Sequence, residues 1–296
     1  SAEAVAVGSV DVEARIEDII VEAMDAGETE RVRDIVRELH YADVADLLER
    51  LSREDRARAV EIIRDIFDPE VLSELDETVR EDVVNALGVK EVANALSELD
   101  SDDAVFVLEE MDEAQQQLYL EHVNDEDRSL IEQGLSYPED SAGRLMQREV
   151  VTVPSQWNVG QCIDYVRRRA DSEDDELPRV FYDIFAVDGD DHPVGAVSLS
   201  KLLSTRRQVP VTEVMEEDMH VINVATDQED VAFLFRQRDL VSAPVIDDSG
   251  KLVGAITVDD VVDVIHEEHE EDIMRMGGVI EDDLYRAAVS TARARF

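Results

Sequence analysis

Two seven-residue stretches decide the fold: GAVSLSK at residues 195–201 and GAITVDD at residues 254–260. In both, a glycine is followed three positions later by a small hydroxyl residue, since Gly195 and Ser198 have the same offset as Gly254 and Thr257. Each stretch changes at the hydroxyl residue from a short β pattern to a helical pattern. The same local structure is therefore predicted twice in the second half of the chain.

The order of elements upstream of these stretches is also repeated. The first copy has a β run at 150–153, a helix near 159–169 and a β run at 181–187; the second has β runs at 221–224 and 243–246 around a helix at 227–238. This order predicts a tandem βαββα duplication. The first copy is longer because it carries the acidic insert DSEDDE at 171–176, for which we predict a solvated loop.

The first half of the chain has only helical periodicity. Apolar residues recur at i, i+3, i+4 and i+7, which is the spacing of one helical face. Four stripes have this spacing: Val32, Ile35, Val36 and Leu39; Val44, Leu47, Leu48 and Leu51; Val92, Ala95, Leu96 and Leu99; and Ala104, Val107, Leu108 and Met111. Short amphipathic helices repeated in this way stack on their neighbours, so we predict an α-solenoid-like helical domain from about residue 10 to 135.

The charge of the chain limits its possible partners. The 296 residues include 73 acidic and 28 basic side chains, which gives a net charge of −45. Proteins that bind nucleic acid need lysine and arginine to neutralise phosphates, so the composition excludes a general nucleic-acid binder. Two interpretations remain and are compatible with each other: an acidic surface adapted to salt, and a surface that concentrates cations.

Few residues have the chemistry of a catalytic site. Cys162 is the only cysteine, which excludes an intrachain disulfide and a thiolate zinc site. No Ser/His/Asp set or phosphate-binding loop stands out, so we expect no enzyme activity. His266 and His269 have the spacing H-E-E-H rather than the H-E-x-x-H of zinc proteases, and we favour a solvated helix face over a transition-metal site there.

The C-terminal segment is predicted to be a helix from Val261, interrupted by Gly277 and Gly278. Its acidic residues come first, and after Asp283 the only charged residues are three arginines. This polarity is expected of a connector that approaches a membrane on its inner side. An ordinary helix with arginines at the negative end of its dipole fits equally well. The sequence has no run of about 18 apolar residues, so we expect this chain as given to be soluble.

The two copies resemble a pair of cystathionine β-synthase-type (CBS) domains, whose strand–turn–strand ends in G-x-x-[ST] before a helix. Met146 and Met215, at the start of each copy, fit the same pattern. The flanking segments resemble a narrower family, because SYPEDSAGRLM at 136–146 and ITVDDVVDVIHEEHEEDIMRMGG at 256–278 are similar to the linker and the connecting helix of MgtE magnesium channels. With the helical repeats in front, the resemblance covers nearly the whole chain in the family's order.

The resemblance implies an α+β multidomain protein: an N-terminal α-solenoid-like helical domain, a tandem CBS (βαββα) pair and a C-terminal connecting helix. The expected boundaries are 10–135 for the helical MgtE N-type domain, 136–206 and 207–263 for the CBS domains, and 264–296 for the connecting, or plug, helix. The family's transmembrane pore domain would begin after Phe296. We therefore expect a homodimer at the cytoplasmic face of the inner membrane, as part of a multi-pass protein.

The resemblance also implies a mechanism, in which Mg²⁺ held between acidic surfaces draws the helical and CBS domains together and keeps the plug helices over the pore. Mg²⁺ prefers oxygen ligands and keeps several waters, so one or two carboxylates per ion suffice. The family's acidic ligand positions fall on Glu70, Asp102, Asp227, Glu229, Asp239, Asp260, Glu268, Glu271 and Asp272, with Asp263 nearby.

Each of these acids has a purely structural alternative. Asp102 opens a helix, where acids favour the positive end of the dipole. The sequence TDQE at 226–229 has the T-x-x-E pattern of a capping box, so its glutamate could be a cap, and Asp260 could cap its own helix in the same way. The acids at 268–272 could form one solvated face. The set as a whole favours metal binding, because all nine matched positions carry a carboxylate.

The sequence departs from the family at four other positions. Two positions that supply backbone ligands in the family carry Arg144 and Arg236. At the adenine-nucleotide position of the first CBS copy, Lys201 replaces the ribose-binding aspartate and Leu240 replaces the aromatic residue that stacks on adenine, whereas the second copy keeps Asp260. We therefore expect weak or no nucleotide binding at the first site.

Three hypotheses about function follow. The leading one is the regulatory gate of a Mg²⁺ channel, with Mg²⁺ as its ligand. The alternative is a CBS-pair sensor of adenine nucleotides that regulates another transporter or enzyme. The third is a salt-adapted scaffold without a specific ion, for which KCl would compact the chain as well as MgCl₂ does at equal ionic strength.

Overall fold

The structure is a computed structural model that describes residues 16–109, 111–172 and 177–266. The chain forms two compact units, one ending at Leu135 and the other beginning at Ser136. The first unit is helical, and the second contains two three-stranded sheets with helices beside them. No helix among the described residues has the length and apolar character needed to cross a bilayer.

The first unit consists of short helices separated by tight breaks. They are α1 (16–25), α2 (Thr29–Glu38), α3 (Tyr41–Arg50), α4 (Arg53–Ile63), α5 (Val71–Glu74), α6 (Glu77–Leu87), α7 (Val89–Glu98), α8 (Ser101–Glu109), α9 (Glu113–Leu120) and α10 (Asp125–Leu135). Polar residues at the breaks cap the helix that follows: Ser52 Oγ accepts from the N–H of Asp55, and Asp112 forms a capping box with Gln115. Gly88, with a φ of +87°, allows the sharp turn between α6 and α7.

Helices that are two apart in sequence pack side by side in this unit. The pairs are α2 with α4, α3 with α5, α4 with α6, α7 with α9, and α8 with α10. The predicted apolar stripes supply the core, since Val32, Leu48, Val92 and Val107 are at most 1% exposed. The prediction of stacked amphipathic helices is therefore confirmed.

The second unit contains the duplication. Its elements are α11 (Ala142–Leu145), β1 (Thr152–Pro154), α12 (Val159–Ala170), β2 (Asp183–Val187), β3 (Pro193–Ser198), α13 (Leu199–Ser204), β4 (Ile222–Asn223), α14 (Gln228–Arg238), β5 (Ser242–Ile246), β6 (Leu252–Thr257) and α15 (258–266, its described part). In each copy the first strand is parallel to the second, and the second is antiparallel to the third. The predicted fold class is confirmed for the helical domain and the βαββα pair, while the connecting helix beyond residue 266 lies outside the described residues.

Each copy contributes a segment to the core of the other. Met146 is buried among side chains of the second copy, and Val211 is buried among those of the first. The glycines of the two G-x-x-[ST] stretches make this exchange possible. A Cβ on Gly254 would lie 2.5 Å from Met146 Sδ, and a Cβ on Gly195 would lie 2.6 Å from Met215 Sδ. Any side chain at either glycine would therefore displace the methionine that packs there.

Candidate functional site

Two of the predicted metal ligands lie on neighbouring elements of the helical unit. Glu70 directly precedes α5, and Asp102 lies in the first turn of α8; both are half-buried. Because α5 packs against α8, the two carboxylates belong to adjacent elements. Asp102 Oδ1 also accepts from the N–H of Asp103 over 3.0 Å, as expected for an acid at the positive end of a helix dipole.

Three further candidates lie at the two ends of α14. Asp227 is the N-cap, and its Oδ1 accepts from the N–H of Glu229 over 2.9 Å. The capping box predicted at 226–229 is therefore wrong, because the helix begins one residue later and Asp227, rather than Thr226, is its N-cap. Asp239 ends the helix in the left-handed region with a φ of 52°. Since an α-helix rises 1.5 Å per residue, Asp239 lies about 18 Å from Asp227, and the two cannot bind one ion within a chain.

Among the described candidates, Asp260 has the pKa that its surroundings shift most. It lies in the first turn of α15, where its Oδ2 accepts from the N–H of Thr257 over 3.0 Å and from Thr257 Oγ1 over 2.9 Å. Burial raises the pKa of Asp260 to about 7, and the neighbouring carboxylates of Asp259 and Asp263 contribute to the rise, while the hydrogen bonds from Thr257 oppose it. The capping contact predicted for Asp260 is therefore present, and it holds a carboxylate in a place that disfavours its charge.

Asp263, one turn further along α15, also has a raised pKa. Burial raises its pKa first and the charge of Asp259 raises it further, while His266 has the opposite effect. Carboxylates a few ångströms apart repel each other by a few kcal/mol at an effective dielectric constant of about 20. The start of α15 is therefore a place where a bound cation would relieve repulsion.

The described residues do not gather the predicted ligands into one cluster. Within 16–109, 111–172 and 177–266, no three or more His, Cys, Asp or Glu side chains are arranged to hold a metal ion. Glu268, Glu271 and Asp272, with His269, lie outside the described residues. The nine-residue ligand set therefore stays a prediction.

The two arginines at predicted backbone-ligand positions are engaged in local contacts. Arg144 donates from Nη2 to the carbonyl oxygen of Tyr137 over 2.8 Å, and the Arg236 guanidinium lies 5.6 Å from the ring centre of Phe233. Both side chains carry a positive charge at positions where a neutral residue would suit a bound cation better.

The predicted nucleotide position of the first copy carries Lys201 and Leu240, the two residues that depart from the family's pattern. Ser198 caps α13, with its Oγ accepting from the N–H of Lys201 over 3.3 Å. Lys201 is exposed, and Leu240 packs at the edge of the second copy's core. A cation and an aliphatic side chain thus occupy the positions at which nucleotide binding would call for an acid and an aromatic ring.

A narrow cleft lies between the two copies on the other side of the pair, beside Thr257. It is lined by Gln147, Glu149, Val150, Val151, Phe181, Tyr182, Asp183, Phe185, Ser242, Ala255 and Thr257. Phe181 and Tyr182 belong to the β run predicted at 181–187, and the sequence pattern indicates no role for Gln147. The available signal was the duplication itself, since Phe181 is the counterpart of Leu240.

Comparison with protein families gives two matches along the chain. The family described as "MgtE intracellular N domain" matches residues 39–140, and the family described as "CBS domain" matches residues 211–267. The first match covers most of the helical unit, and the second covers the second βαββα copy. Their order is the one predicted from the sequence.

Two relatives with curated descriptions are both named as magnesium transporters. "Magnesium transporter MgtE" of Thermus thermophilus is 31% identical over 266 residues, which are 89% of this chain and 58% of that protein. "Magnesium transporter MgtE" of Bacillus subtilis is 26% identical over 248 residues, 83% of this chain and 53% of that protein. The chain thus spans somewhat more than half the length of these relatives. They are transporters, which agrees with the expectation that the chain is not an enzyme.

Two solved structures share the order of a helical unit followed by a CBS pair. "Crystal structure of the cytosolic domain of the Mg2+ channel MgtE in complex with ATP" is 31% identical, with a TM-score of 0.76 over 83% of this chain and 98% of that chain. "Crystal structure of the soluble part of a magnesium transporter" is 25% identical, with a TM-score of 0.74 over 86% of this chain and 99% of that chain.

Proposed function

The chain belongs to the MgtE family of magnesium transporters, and from that premise we propose that it is the Mg²⁺-sensing cytosolic region of a Mg²⁺ channel. Mg²⁺ bound between acidic surfaces of the helical unit and the CBS pair locks a closed homodimer, and loss of Mg²⁺ releases it. The chain's relatives are Mg²⁺ transporters, and two structures of the same architecture are described as the cytosolic or soluble part of such a protein.

The observation that carries the proposal is the crowding of carboxylates at the start of α15. The pKa of Asp260 is raised to about 7 by burial and by Asp259 and Asp263, and the pKa of Asp263 is raised as well. Near neutral pH the folded protein therefore holds acids whose charges are poorly compensated. A hard divalent cation would convert that repulsion into attraction, and it needs only one or two carboxylates because it keeps part of its water shell.

The candidate ligands are distributed over both units, so Mg²⁺ binding can control whether the units are held together. Glu70 and Asp102 belong to the helical unit, and the other described candidates belong to the CBS pair. An ion shared by two units binds more tightly when they are together, so by linkage it favours the compact form. The affinity of each ion can then be low, which suits a sensor of an abundant cytosolic cation.

Limited proteolysis of the full chain in rising MgCl₂ tests the proposal. We expect protection at millimolar Mg²⁺, and no equivalent protection by KCl at the same ionic strength. Asp227→Ala and Asp239→Ala should raise the Mg²⁺ concentration needed, whereas Asp230→Ala, which removes an equally exposed acid of α14 outside the ligand set, should leave it unchanged. Equal protection by KCl would support the salt-adapted scaffold instead.

The second candidate function is regulation by an adenine nucleotide, favoured by the ATP complex of the relative that is 31% identical. Lys201 and Leu240 argue against ATP at the predicted nucleotide position of the first copy. Repeating the proteolysis with ATP in the absence of Mg²⁺ separates the two functions, because protection by ATP alone would favour the nucleotide sensor.

A further inference from the structure

The helices of the two βαββα copies carry opposite net charges. In the first copy, α12 and α13 together carry four basic residues and one acid, Asp164. In the second copy, α14 and the described part of α15 carry two basic residues and five acids. Residues 192–212, which include α13, also form the longest stretch of the sequence without an aspartate or glutamate. A basic surface thus persists in a chain in which 73 of 296 residues are acidic.

Three exposed arginines from two segments surround Asp164. Arg207 Nη2, from the loop after α13, donates to Asp164 Oδ2 over 2.7 Å. That hydrogen bond lowers the pKa of Asp164, and the positive charges of Arg207, Arg167 and Arg168 lower it further. One carboxylate cannot neutralise three guanidinium groups, so the cluster keeps an excess of positive charge.

The loop that carries Arg207 is fixed to the start of α12. The N–H of Gly160 donates to the carbonyl oxygen of Arg207 over 2.8 Å, and the N–H of Val159 donates to that of Val209 over 2.9 Å. These carbonyl oxygens satisfy N–H groups in the first turn of α12, which have no partner within the helix. The arginines of α12 and of the loop are therefore held together in one place.

Helix α13 extends this surface with a lysine and an exposed leucine. The helix packs against α12 and buries Leu202. At 100° per residue, Lys201 and Leu203 then lie on either side of its solvent-facing arc. Leu203 is 68% exposed, the largest exposed fraction among the large apolar side chains of the described residues. An exposed apolar side chain among cations is the composition of surfaces that bind at membrane interfaces.

The apolar position is repeated in the second copy, but its charged surroundings are not. Both α13 and α15 begin directly after the third strand of their copy, so the fifth residue of α13, Leu203, corresponds to the fifth residue of α15, Val262. Val262 is 56% exposed, and the acids of its helix are Asp259, Asp260 and Asp263. The two copies therefore present a similar apolar side chain in surroundings of opposite charge.

We propose that the basic face of the first copy docks on the surface of an anionic lipid bilayer, with guanidinium groups on lipid phosphates and Leu203 between the headgroups. The basic face comprises five exposed cations and one leucine: Arg167, Arg168, Lys201, Leu203, Arg206 and Arg207. The inference rests on the proposed function, which places the chain beside a membrane, and it adds a contact that Mg²⁺ does not mediate. Arginine binds phosphate through two parallel hydrogen bonds, and each lysine or arginine near an anionic bilayer strengthens binding about fivefold.

The acidity of the rest of the chain does not prevent this contact. At about 0.15 M salt the Debye length is about 8 Å, so exposed charges further than that from the bilayer are largely screened. Asp164 is the only acid of α12, α13 and residues 205–212, and Arg207 already pairs with it. Nucleic acid is a less suitable partner, because Leu203 would gain nothing from a phosphate backbone.

Flotation of the full chain with lipid vesicles tests the proposal, in EDTA so that no divalent cation bridges protein and lipid. At about 50 mM KCl we expect the chain to float with vesicles of equal parts phosphatidylglycerol and phosphatidylcholine, and not with phosphatidylcholine alone. Binding should fall as KCl is raised to about 500 mM, because salt screens exposed charges. No flotation with the anionic vesicles, or equal flotation with both lipids, would overturn the proposal.

Matched variants of the two copies locate the contact. Arg168→Glu should weaken vesicle binding about 25-fold, because it changes two units of charge at about fivefold each. Arg238→Glu changes an exposed arginine in the last turn of the counterpart helix α14 and should alter binding less than twofold. Leu203→Ser should weaken binding about fivefold because apolar burial is lost, whereas Val262→Ser should alter it less than twofold.

Two results of these variants and of a competing ligand contradict the proposal. Equal losses in Arg168→Glu and Arg238→Glu would show that overall charge, and not the basic face, governs binding. Tighter binding to a DNA duplex than to the anionic vesicles, measured by fluorescence anisotropy, would assign the basic face to nucleic acid. Because the flotation contains no Mg²⁺, its failure is separate from a failure of the Mg²⁺-dependent proteolysis that tests the proposed function.

Discussion

Ser242 Oγ donates a 2.5 Å hydrogen bond to Asp183 Oδ2, and these residues are the first residues of β5 and β2. They are counterparts in the duplication, because Asp183 pairs with Ser198 in the same way that Ser242 pairs with Thr257. One contact between two symmetry-related positions thus joins the two sheets. A hydroxyl donor at one position and a charged acceptor at the other can bind each other, as two aspartates could not.

Ser242→Ala should therefore lower the free energy of unfolding of the CBS pair. A hydrogen bond to a charged group contributes about 1.5–3 kcal/mol, and the half-buried carboxylate of Asp183 would lose its donor. Ser200→Ala removes an exposed hydroxyl of the same unit and should change the free energy by less than about 0.5 kcal/mol. Urea denaturation of both variants measures the difference, and equal midpoints would contradict the role given to Ser242.

A buried arginine joins three helices of the first unit. Arg56 on α4 is 8% exposed, and it donates to the carbonyl oxygens of Leu48 and Leu51, at the end of α3, over 2.8 and 3.2 Å. It also forms a 2.8 Å ion pair with Asp82 on α6. The carbonyls that end one helix are thus satisfied by a side chain of the next, which accounts for the close stacking of such short helices.

Arg56→Ala should destabilise the helical unit by about 2–4 kcal/mol, because it leaves the carbonyl oxygens of Leu48 and Leu51 without their buried donor. Asp82 also loses its buried partner and keeps only the exposed Arg53. Arg53→Ala is the matched control. Arg53 also pairs with Asp82, at 2.7 Å, but its side chain is 83% exposed, so its loss should cost less than about 1 kcal/mol. Urea denaturation followed by far-UV circular dichroism measures both, and a similar loss in the two variants would argue against the bridging role.

Sequence patterns predicted the elements whose signal is local. The predicted stripes through Val32, Leu48, Val92 and Val107 are buried helix faces. In water an amphipathic helix is stable when its apolar face packs against a neighbour. The helices α5 and α6 were less clear, because they are joined by buried arginine contacts, such as that from Arg80 Nη2 to the carbonyl oxygen of Leu75, which no periodicity encodes.

The candidate site was predictable to a smaller extent. The contact between Thr257 and Asp260 follows from residue type and spacing, and the structure has it. The N-cap of α14 is Asp227 and not Thr226 as predicted. Both residue types are common N-caps, and their spacing from the helix does not show which of the two caps it. The cleft beside Thr257 was missed because segments far apart in the sequence line it, and these segments meet only in the folded pair.

The pH dependence of stability should contain a contribution from Asp260. Its pKa is raised to about 7 in the folded protein from an ordinary value near 3.8, so the folded state binds this proton more tightly than the unfolded state. Stability from this group is therefore fully present below about pH 4 and is lost as the pH rises to about 7, by up to about 4 kcal/mol.

Asp260→Asn removes this titration and isolates it from the other acids. The free energy of unfolding of the variant minus that of the unaltered chain should rise between pH 4 and pH 7 and stay constant above it. Asp230→Asn, at an exposed position of α14, is the control for the removal of one carboxylate from the surface. Chemical denaturation across this pH range measures both, and a difference for Asp260→Asn that falls with rising pH would contradict the raised pKa.

His192 should act as a pH-dependent link between the two hairpin turns of the CBS pair. Its Nδ1 lies 3.2 Å from Asp188 Oδ2 in its own turn, and its Nε2 lies 3.3 Å from the carbonyl oxygen of Ser249 in the turn of the other copy. Both partners only accept hydrogen bonds, and a neutral imidazole donates from one nitrogen alone, so the imidazolium alone satisfies both. The hydrogen bond to Asp188, followed by that to Ser249 and the nearby charge of Asp190, raises the pKa of His192 above its ordinary 6.5.

A raised histidine pKa means that this link contributes stability fully below pH 6.5 and loses it as the pH rises through the pKa of the folded state. Asp188→Asn should lower the pKa of His192, because it replaces the charged acceptor, whereas Asp230→Asn on the distant α14 should leave it unchanged. An NMR titration of the imidazole CH signals measures the pKa in each variant. If Asp188→Asn left the midpoint of His192 where it was, the contact between the turns would have to be ascribed to backbone hydrogen bonds such as that from the N–H of Leu252 to the carbonyl oxygen of Asp191, which no proton controls.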